Sequence, residues 1–428
     1  MKLRVFKFGG AAVQDAAHII NTASILKQHE GENQVVVISA MGKMTNAFEQ
    51  VYERCKYSRP SVTSHLSKLV RAHLKVAEQL GVETDVLLGK YEQHIFDNMF
   101  VIKNRKSVAS DLFYDQVVSL GELFSTELVY AYLKSLDMEV RWMDARKVLR
   151  TDDTHREGKV DFHVSSQKIK KKVKQLYKSC SVVITQGFIG GTAEGLTTTL
   201  GREGSDYTAA IMAYALGVEE LTIWKDVPGI LTADPKRFEQ VELLKNLSYR
   251  EAIEMTYYGA KVIHPKTIQP IQNKNIKLRV KSFKNPKGAG TVISSKGQAH
   301  YPPIIVIQDE VILLQIASKD FSFISEDHLS FIFDKMKTHK IKLGVMRNSA
   351  ISFTLVILEI NEKVLKVFVK EISSLLTVAI TSGLQMLTVR HAQEEGLKSL
   401  VVGKEILFEE TLDDTVTMVL KSSLAFKE

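Results

Sequence analysis

In TLGREGSDYTAA (199–210), Arg202, Glu203 and Asp206 crowd a glycine-rich loop just before an alanine-rich apolar run. Arg202 carries a planar fork that can grip a carboxylate through two hydrogen bonds. Gly204, Ser205 and Asp206 fit the start of a helix, where Ser205 can cap and open N–H groups favour anions. The same residues would also suit an ordinary capped helix with a local Arg202–Asp206 ion pair. KFGG (7–10) places Lys7 before paired glycines, and Gly9 and Gly10 let the backbone approach an anion closely. Many strands nevertheless end in such a turn. In SLGELFST (119–126), Glu122 stands at a helix start among Leu120, Leu123 and Phe124. A carboxylate there could receive a substrate ammonium, or merely answer the helix dipole. GAKVIHPKT (259–267) puts Lys261 just after a glycine. His264 precedes a proline, has no Cys, His or carboxylate at ligand spacing, and is read as structural.

These residues need strand ends and helix starts to hold them. LRVFKFGG reads as a strand running into a glycine turn, AAHIINTASILKQH as a helix, and NQVVVISAMG as a second buried strand. Helical stretches follow over roughly 61–104 and 121–136, then short strands at MEVRWMD and SVVITQGFIGG, a helix over 205–216 and a strand at ELTIWKDV. Buried strands feeding glycine turns and helices indicate an α/β domain with a mostly parallel sheet. Ligands gather at the carboxyl ends of such strands, which is where KFGG, ISAMGK, QGFIGG and WKDVPG fall. NPKGAGTVISSKGQAHYPP (285–303) reads as a linker. Beyond it the order strand, helix, strand, strand, helix, strand implies a ferredoxin-like βαββαβ unit, and ILFEETLDDTVTMVLK resembles a hairpin.

Composition narrows the function classes. The 428 residues suffice for two or more domains, and 45% hydrophobic with 25% charged residues is ordinary for a globular chain. No apolar run is long enough to cross a bilayer, and the first residues enter a strand with no signal sequence, so a cytoplasmic location is expected. Two distant cysteines, Cys55 and Cys180, suit a reducing compartment. The net charge of +8 peaks at KIKKKVK (168–174). There the lysines take one helix face opposite Ile169 and Val173, without aromatic residues, so a solvated face is expected rather than a nucleic-acid site.

Taken in order, KFGG, SAMGKMTN, GELFST, QGFIGG, TTTLGREGSDYTAA, KDVPGI, DPK, YYGAKVIHP and NPKGAGT resemble the amino-acid kinase family and, within it, the aspartokinases. The resemblance covers nearly the whole chain. It implies a kinase domain over 1–298, with a mostly parallel sheet sandwiched by helices. An ACT regulatory region would follow over 304–428, one full unit and an abbreviated second. It further implies phosphorylation of the L-aspartate side-chain carboxylate by ATP with Mg²⁺, a homodimer, and an amino-acid effector at the ACT region. No protein metal ligand is expected.

The roles carried over are specific. Lys7 would stabilise the transferred phosphoryl group beside Gly9 and Gly10, and Asp206 would orient that lysine. Arg202 would meet the aspartate α-carboxylate and Glu122 its ammonium. Ser39, Thr45, Phe188 and Ser205 would line the substrate pocket. Lys225, Asp226, Lys236 and Lys261 would surround the nucleotide. Such a site needs no general base, because a carboxylate is already nucleophilic at neutral pH.

Several positions depart from the family pattern. Ala11 and Ala12 stand for a Thr-Ser pair, Glu203 for a loop glycine, Lys225 for a threonine and Leu231 for a tyrosine. The Glu203 carboxylate is expected to face away from the incoming anions. In IKLGVMRNSA (341–350), Gly344 and Ala350 replace an acidic pair that receives lysine in lysine-inhibited members. Inhibition by lysine through that segment is therefore not expected. Ending at 428, the chain leaves no room for a homoserine dehydrogenase domain, so a monofunctional enzyme is expected. The rivals are a sibling kinase with another acceptor and a weakened kinase retained as an amino-acid-binding sensor.

Overall fold

Strand Leu3–Phe8 (β1) has its last four residues buried whichever face they point to. That is the signature of an inner strand in a parallel sheet. In the computed structural model, which describes residues 2–57, 61–103, 110–260, 263–320 and 322–422, the chain divides into two units. The first comprises Met1–Ile230, Leu243–Ile253 and Val262–Gln298, and the remainder forms the second.

After β1 come Ala16–Lys27 (α1), Asn33–Ile38 (β2), Met44–Cys55 (α2), Val62–Gln79 (α3), Thr84–Lys103 (α4), Ser110–Val118 (α5) and Leu120–Ser135 (α6). Val140–Met143 (β3), Ala145–Val148 (α7), Phe162–Leu176 (α8) and Val182–Gln186 (β4) lead to a small ribbon, Ile189–Gly191 (β5) with Thr197–Thr199 (β6). Gly204–Leu216 (α9), Glu220–Lys225 (β7), Asn246–Ser248 (β8), Tyr249–Tyr257 (α10), Pro265–Gln272 (α11), Lys277–Ser282 (β9) and Thr291–Ser294 (β10) follow. The sheet runs β3-β4-β2-β1-β7-β9-β10-β8. Only β9 with β10 pairs antiparallel in it.

The helical stretch expected over 61–104 is two helices. The expected linker over 285–303 is corrected more substantially. Thr291–Ser294 is a strand of the main sheet, hydrogen-bonded to both β9 and β8. Its glycines and prolines flank the strand and hid its short β-branched core. The lysine-rich run lies in α8 as expected, with Ile169 and Val173 buried.

In the second unit, Ile304–Ser318 (β11), Glu326–Thr338 (α12), Lys342–Asn348 (β12), Ser352–Leu358 (β13), Glu362–Ile372 (α13) and Leu376–Arg390 (β14) give the expected βαββαβ order. After a short helix, Glu394–Leu400 (α14), the hairpin Lys404–Leu412 (β15) and Thr415–Ser422 (β16) joins through β16 to β14. The antiparallel sheet reads β12-β13-β11-β14-β16-β15. Alternation along β11 sends Leu314 and Ile316 into one apolar cluster, shared with Phe368 of α13, and Val311 and Leu313 into another.

Candidate active site

Lys7 and Lys225 end neighbouring parallel strands, and α9 brings Asp206 to both. The Lys7 Nζ lies 2.6 Å from Asp206 Oδ1, and the Lys225 Nζ lies 3.6 Å from Oδ2. The Asp206 side chain is only 1% exposed. Burial pushes its carboxyl upward, but Lys7 and Lys225 outweigh that and hold it at about 2. A buried carboxylate is tolerable only with such partners. Arg202 is exposed, and Asp206 is engaged by lysines.

The strand-end turns are packed closely. A Cβ on Gly10 would meet the carbonyl oxygens of Gly42 and Ala40 at 2.5 and 2.7 Å, so only glycine lets the first loop pass the second. A Cβ on Gly187 would fall 2.5 Å from that of Ser205, which clamps the QGFIGG turn onto the first turn of α9. Ser205 is therefore a residue within that turn and not the helix cap. The capping position belongs to Glu203, which offers no side-chain capping bond.

Glu203 also corrects the expectation about its direction. Its backbone is left-handed, φ 55, and although the residue as a whole is exposed, its carboxyl is drawn in against Asp206. Burial, then Asp206, push the Glu203 carboxyl upward, while Lys225 and Lys7 draw it down.

Glu122 sits in the first turn of α6, 2% exposed. Its Oε1 accepts the Ala40 N–H at 3.3 Å, and its Oε2 is buried without a hydrogen-bond partner among the described residues. Burial raises its carboxyl to about 8, against the pull of the Ala40 N–H and of Lys7. Ser39 lies between these groups in the chain, its N–H bonded to the Phe8 carbonyl and its own carbonyl accepting from Ser125 Oγ at 2.8 Å. Thr45 is half-buried in the first turn of α2. Phe188 takes a left-handed φ of 67, with its N–H donating to Thr208 Oγ1 at 3.0 Å. Asp226 is exposed just beyond β7. Lys236 belongs to the second unit, on a turn where its N–H donates to Asp234 Oδ1, and Lys261 lies outside the described residues. His264 caps α11, as the structural assignment expected, its ring Nδ1 accepting from the Lys266 N–H.

Two positioning residues escaped the sequence. Lys266 Nζ donates to the Leu200 carbonyl at 3.0 Å, tethering the loop that carries Arg202. Asp115, fully buried in α5, accepts from Thr199 Oγ1 at 2.6 Å and from the Arg156 N–H at 3.1 Å, and pairs with His155 at 2.7 Å. It fixes β6 just ahead of that loop. The partners of both lie far off in sequence, so even Lys266, within GAKVIHPKT, carried no local sign of its role.

The model of the amino acid kinase family matches residues 2–282. The chain belongs to that family. It is 30% identical over 416 residues to lysine-sensitive aspartokinase 3 of Escherichia coli, covering 94% of this chain and 89% of that one. It is also 35% identical over 295 residues to the chloroplastic bifunctional aspartokinase/homoserine dehydrogenase 1 of Arabidopsis thaliana. That match covers 68% of this chain, which spans only 32% of the plant protein. The crystal structure of E. coli aspartokinase III in complex with aspartate and ADP superposes with a TM-score of 0.81 at 27% identity, covering 99% of this family member and 96% of that chain. The strand-end lysines, the buried aspartate of α9 and the buried glutamate of α6 thus lie within an amino acid kinase fold of aspartokinase type.

Proposed function

We propose that this protein transfers the γ-phosphoryl group of ATP to the side-chain carboxylate of L-aspartate, giving 4-phospho-L-aspartate. The observation that carries this reading is the buried Glu122. Its Oε2 has no hydrogen-bond partner among the described residues, and the carboxyl lies within electrostatic reach of Lys7, which suits it to receive a cation such as the substrate ammonium. A carboxylate oxygen attacks the γ-phosphorus, the bond to the β–γ bridging oxygen breaks, and ADP leaves without any proton transfer. Lys7, set by Asp206, meets the charge on the moving phosphoryl group, while Lys225 supplies a second cation and Arg202 takes the α-carboxylate. Gly9 and Gly10 admit the phosphates to the backbone. Ser39, Thr45, Phe188 and Ser205 shape the acceptor pocket, and Asp226 serves the nucleotide. Lys7 and Lys225 already engage the Asp206 carboxylate, which suits Mg²⁺ held by nucleotide phosphates and water, not by that carboxylate. When bound, the ion would supply neutralisation of phosphate charge.

On the family resemblance of the sequence, the region 304–428 would act as an ACT regulatory region of a homodimer, following a 1–298 kinase domain. The pathway entered would be that to lysine, threonine, methionine and diaminopimelate. No described helix is long and apolar enough to cross a membrane, and the two buried free thiols suit a reducing, cytoplasmic setting. Trapping acyl phosphate as hydroxamate tests the activity directly. Turnover with aspartate, and a raised aspartate KM in Arg202→Ala, are expected, and turnover only with another acceptor would refute it. Glu203, drawn into the phosphoryl site, favours a second reading, a weakened kinase serving as an amino-acid sensor. Tight binding of ATP and aspartate without hydroxamate would select it.

Glu203→Gly separates these further. Glycine accepts the left-handed backbone and removes an acid from beside Asp206. The variant should raise kcat/KM by about three- to tenfold, up to ~1.4 kcal/mol of relieved repulsion. The gap should widen as pH rises, because the raised Glu203 carboxyl gains charge then. An abolished turnover would assign that glutamate an essential role.

Lysine should not inhibit through 341–350. Gly344 is buried, and a Cβ there would lie 2.8 Å from the Leu358 side chain, leaving no room for an acidic replacement. Steady-state titration with lysine checks this, and micromolar-range inhibition lost on mutating the segment would contradict it.

A further inference from the structure

Alternate residues of β1, β7 and β9 point away from α9, to the face opposite Lys7 and Asp206. On that face lies a cavity of about 560 Å³, lined among others by Arg4, Phe6, Trp224, Arg279 and Lys281. Register explains the grouping, since Phe6 stands level with Thr222, Thr222 with Arg279, and Trp224 with Lys281. Lys2, His29 and Lys277 also border the space, and the carboxylates bordering it are Glu219 and Glu220.

Its charges do not balance. The two arginine forks are engaged, Arg279 by both oxygens of Glu220 at 2.8 Å and Arg4 by Glu32. No carboxylate among the described residues stands in ion-pair range of Lys2, Lys277 or Lys281. The cations press on one another as well. Burial, then Arg4, lower the His29 ring, with Lys281 adding to the effect, and burial, then Arg279, lower the Lys281 ammonium. Beside them is an aromatic wall. Trp224, 2% exposed, stacks on Phe8, and Lys281 Nζ sits 5.2 Å from the indole ring centre. Several point-charge lysines with the forks already taken suit clustered phosphate oxygens better than a lone carboxylate.

We propose that this cavity is a second anion site, taking a small polyphosphate or phosphate ester on the sheet face opposite the phosphoryl-transfer site. The proposal does not depend on the phosphotransfer reading, since none of its residues serves that site.

The chain has two tryptophans, so Trp142→Phe leaves Trp224 as the sole reporter. That variant, saturated with ADP and aspartate to fill the transfer site, is titrated with inorganic pyrophosphate while Trp224 emission is followed. A saturable change is expected, weakened at least tenfold when Lys277→Met and Lys281→Met are added. Calorimetry with the same probe on the otherwise unaltered chain, with and without the two lysine substitutions, repeats the comparison should Trp142→Phe disturb folding. Absence of saturable binding, or equal affinity in the lysine variant, overturns the proposal. Trp224 emission that changes with protein concentration and not with pyrophosphate would make this face an interface between copies, and would likewise overturn it.

Discussion

Lys7→Met is expected to lower kcat by roughly a thousandfold, the ~4 kcal/mol typical of losing a preorganised group that meets transition-state charge. The same substitution should destabilise the fold. Asp206 is 1% exposed and would keep only Lys225, at 3.6 Å, to balance it. Stranding a buried charge costs about 3–5 kcal/mol, and the remaining lysine should reduce that to roughly 2–3 kcal/mol. Asp206→Asn added to Lys7→Met removes the stranded charge, so stability should recover while activity does not. Thermal melts and hydroxamate release on the two variants separate the roles. Parallel recovery of both would mean that Lys7 is structural only. Wild-type stability carries a related acid signature. Because the folded Asp206 carboxyl is held at about 2 against an unfolded value of 3.8, its contribution is present above 3.8 and lost as pH falls through about 2.

Glu122→Gln is expected to raise the aspartate KM by about ten- to a hundredfold, the ~1.5–3 kcal/mol of a hydrogen bond to a charged group. Its effect on the unliganded protein should run the other way. The folded chain holds the Glu122 proton up to about 8, whereas an unfolded chain releases it near 4.5. The folded state therefore binds more protons across that window. Its stability falls as pH climbs from about 4.5 through about 8. Glutamine lacks that proton, so Glu122→Gln should unfold later than wild type at pH 9, by an amount on the order of a few kcal/mol. Aspartate binding should also release a proton at neutral pH, as its ammonium makes the ionised carboxylate favourable. Calorimetric heats measured in buffers of different ionisation enthalpy read that proton. Unchanged aspartate affinity together with unchanged high-pH stability would remove Glu122 from the ammonium site.

The order of elements was legible because buried strands and amphipathic helices carry their period in the local sequence. The glycine turns of KFGG and QGFIGG marked strand ends, where a parallel sheet must expose its backbone to ligands. Thr291–Ser294 was not legible, since four residues between glycines and prolines look like a linker until two neighbouring strands claim them. Ser205 looked like a cap for a similar reason. Residue type permits capping, but the left-handed turn at Glu203 started the helix two residues earlier than a Ser205 cap would allow.

The α/β class and the βαββαβ order of the second unit followed from the sequence alone. Those are properties of pattern and side-chain type. Only the tertiary structure decided the partners. Asp206 chose Lys7 and Lys225, from strands 199 and 19 positions away in the chain, over its near neighbour Arg202. Glu203 turned inward, and Glu122 was left with one buried oxygen that has no hydrogen-bond partner among the described residues. Such outcomes depend on burial, which makes a charge seek the nearest opposite charge in space, and spacing along a chain does not encode that distance.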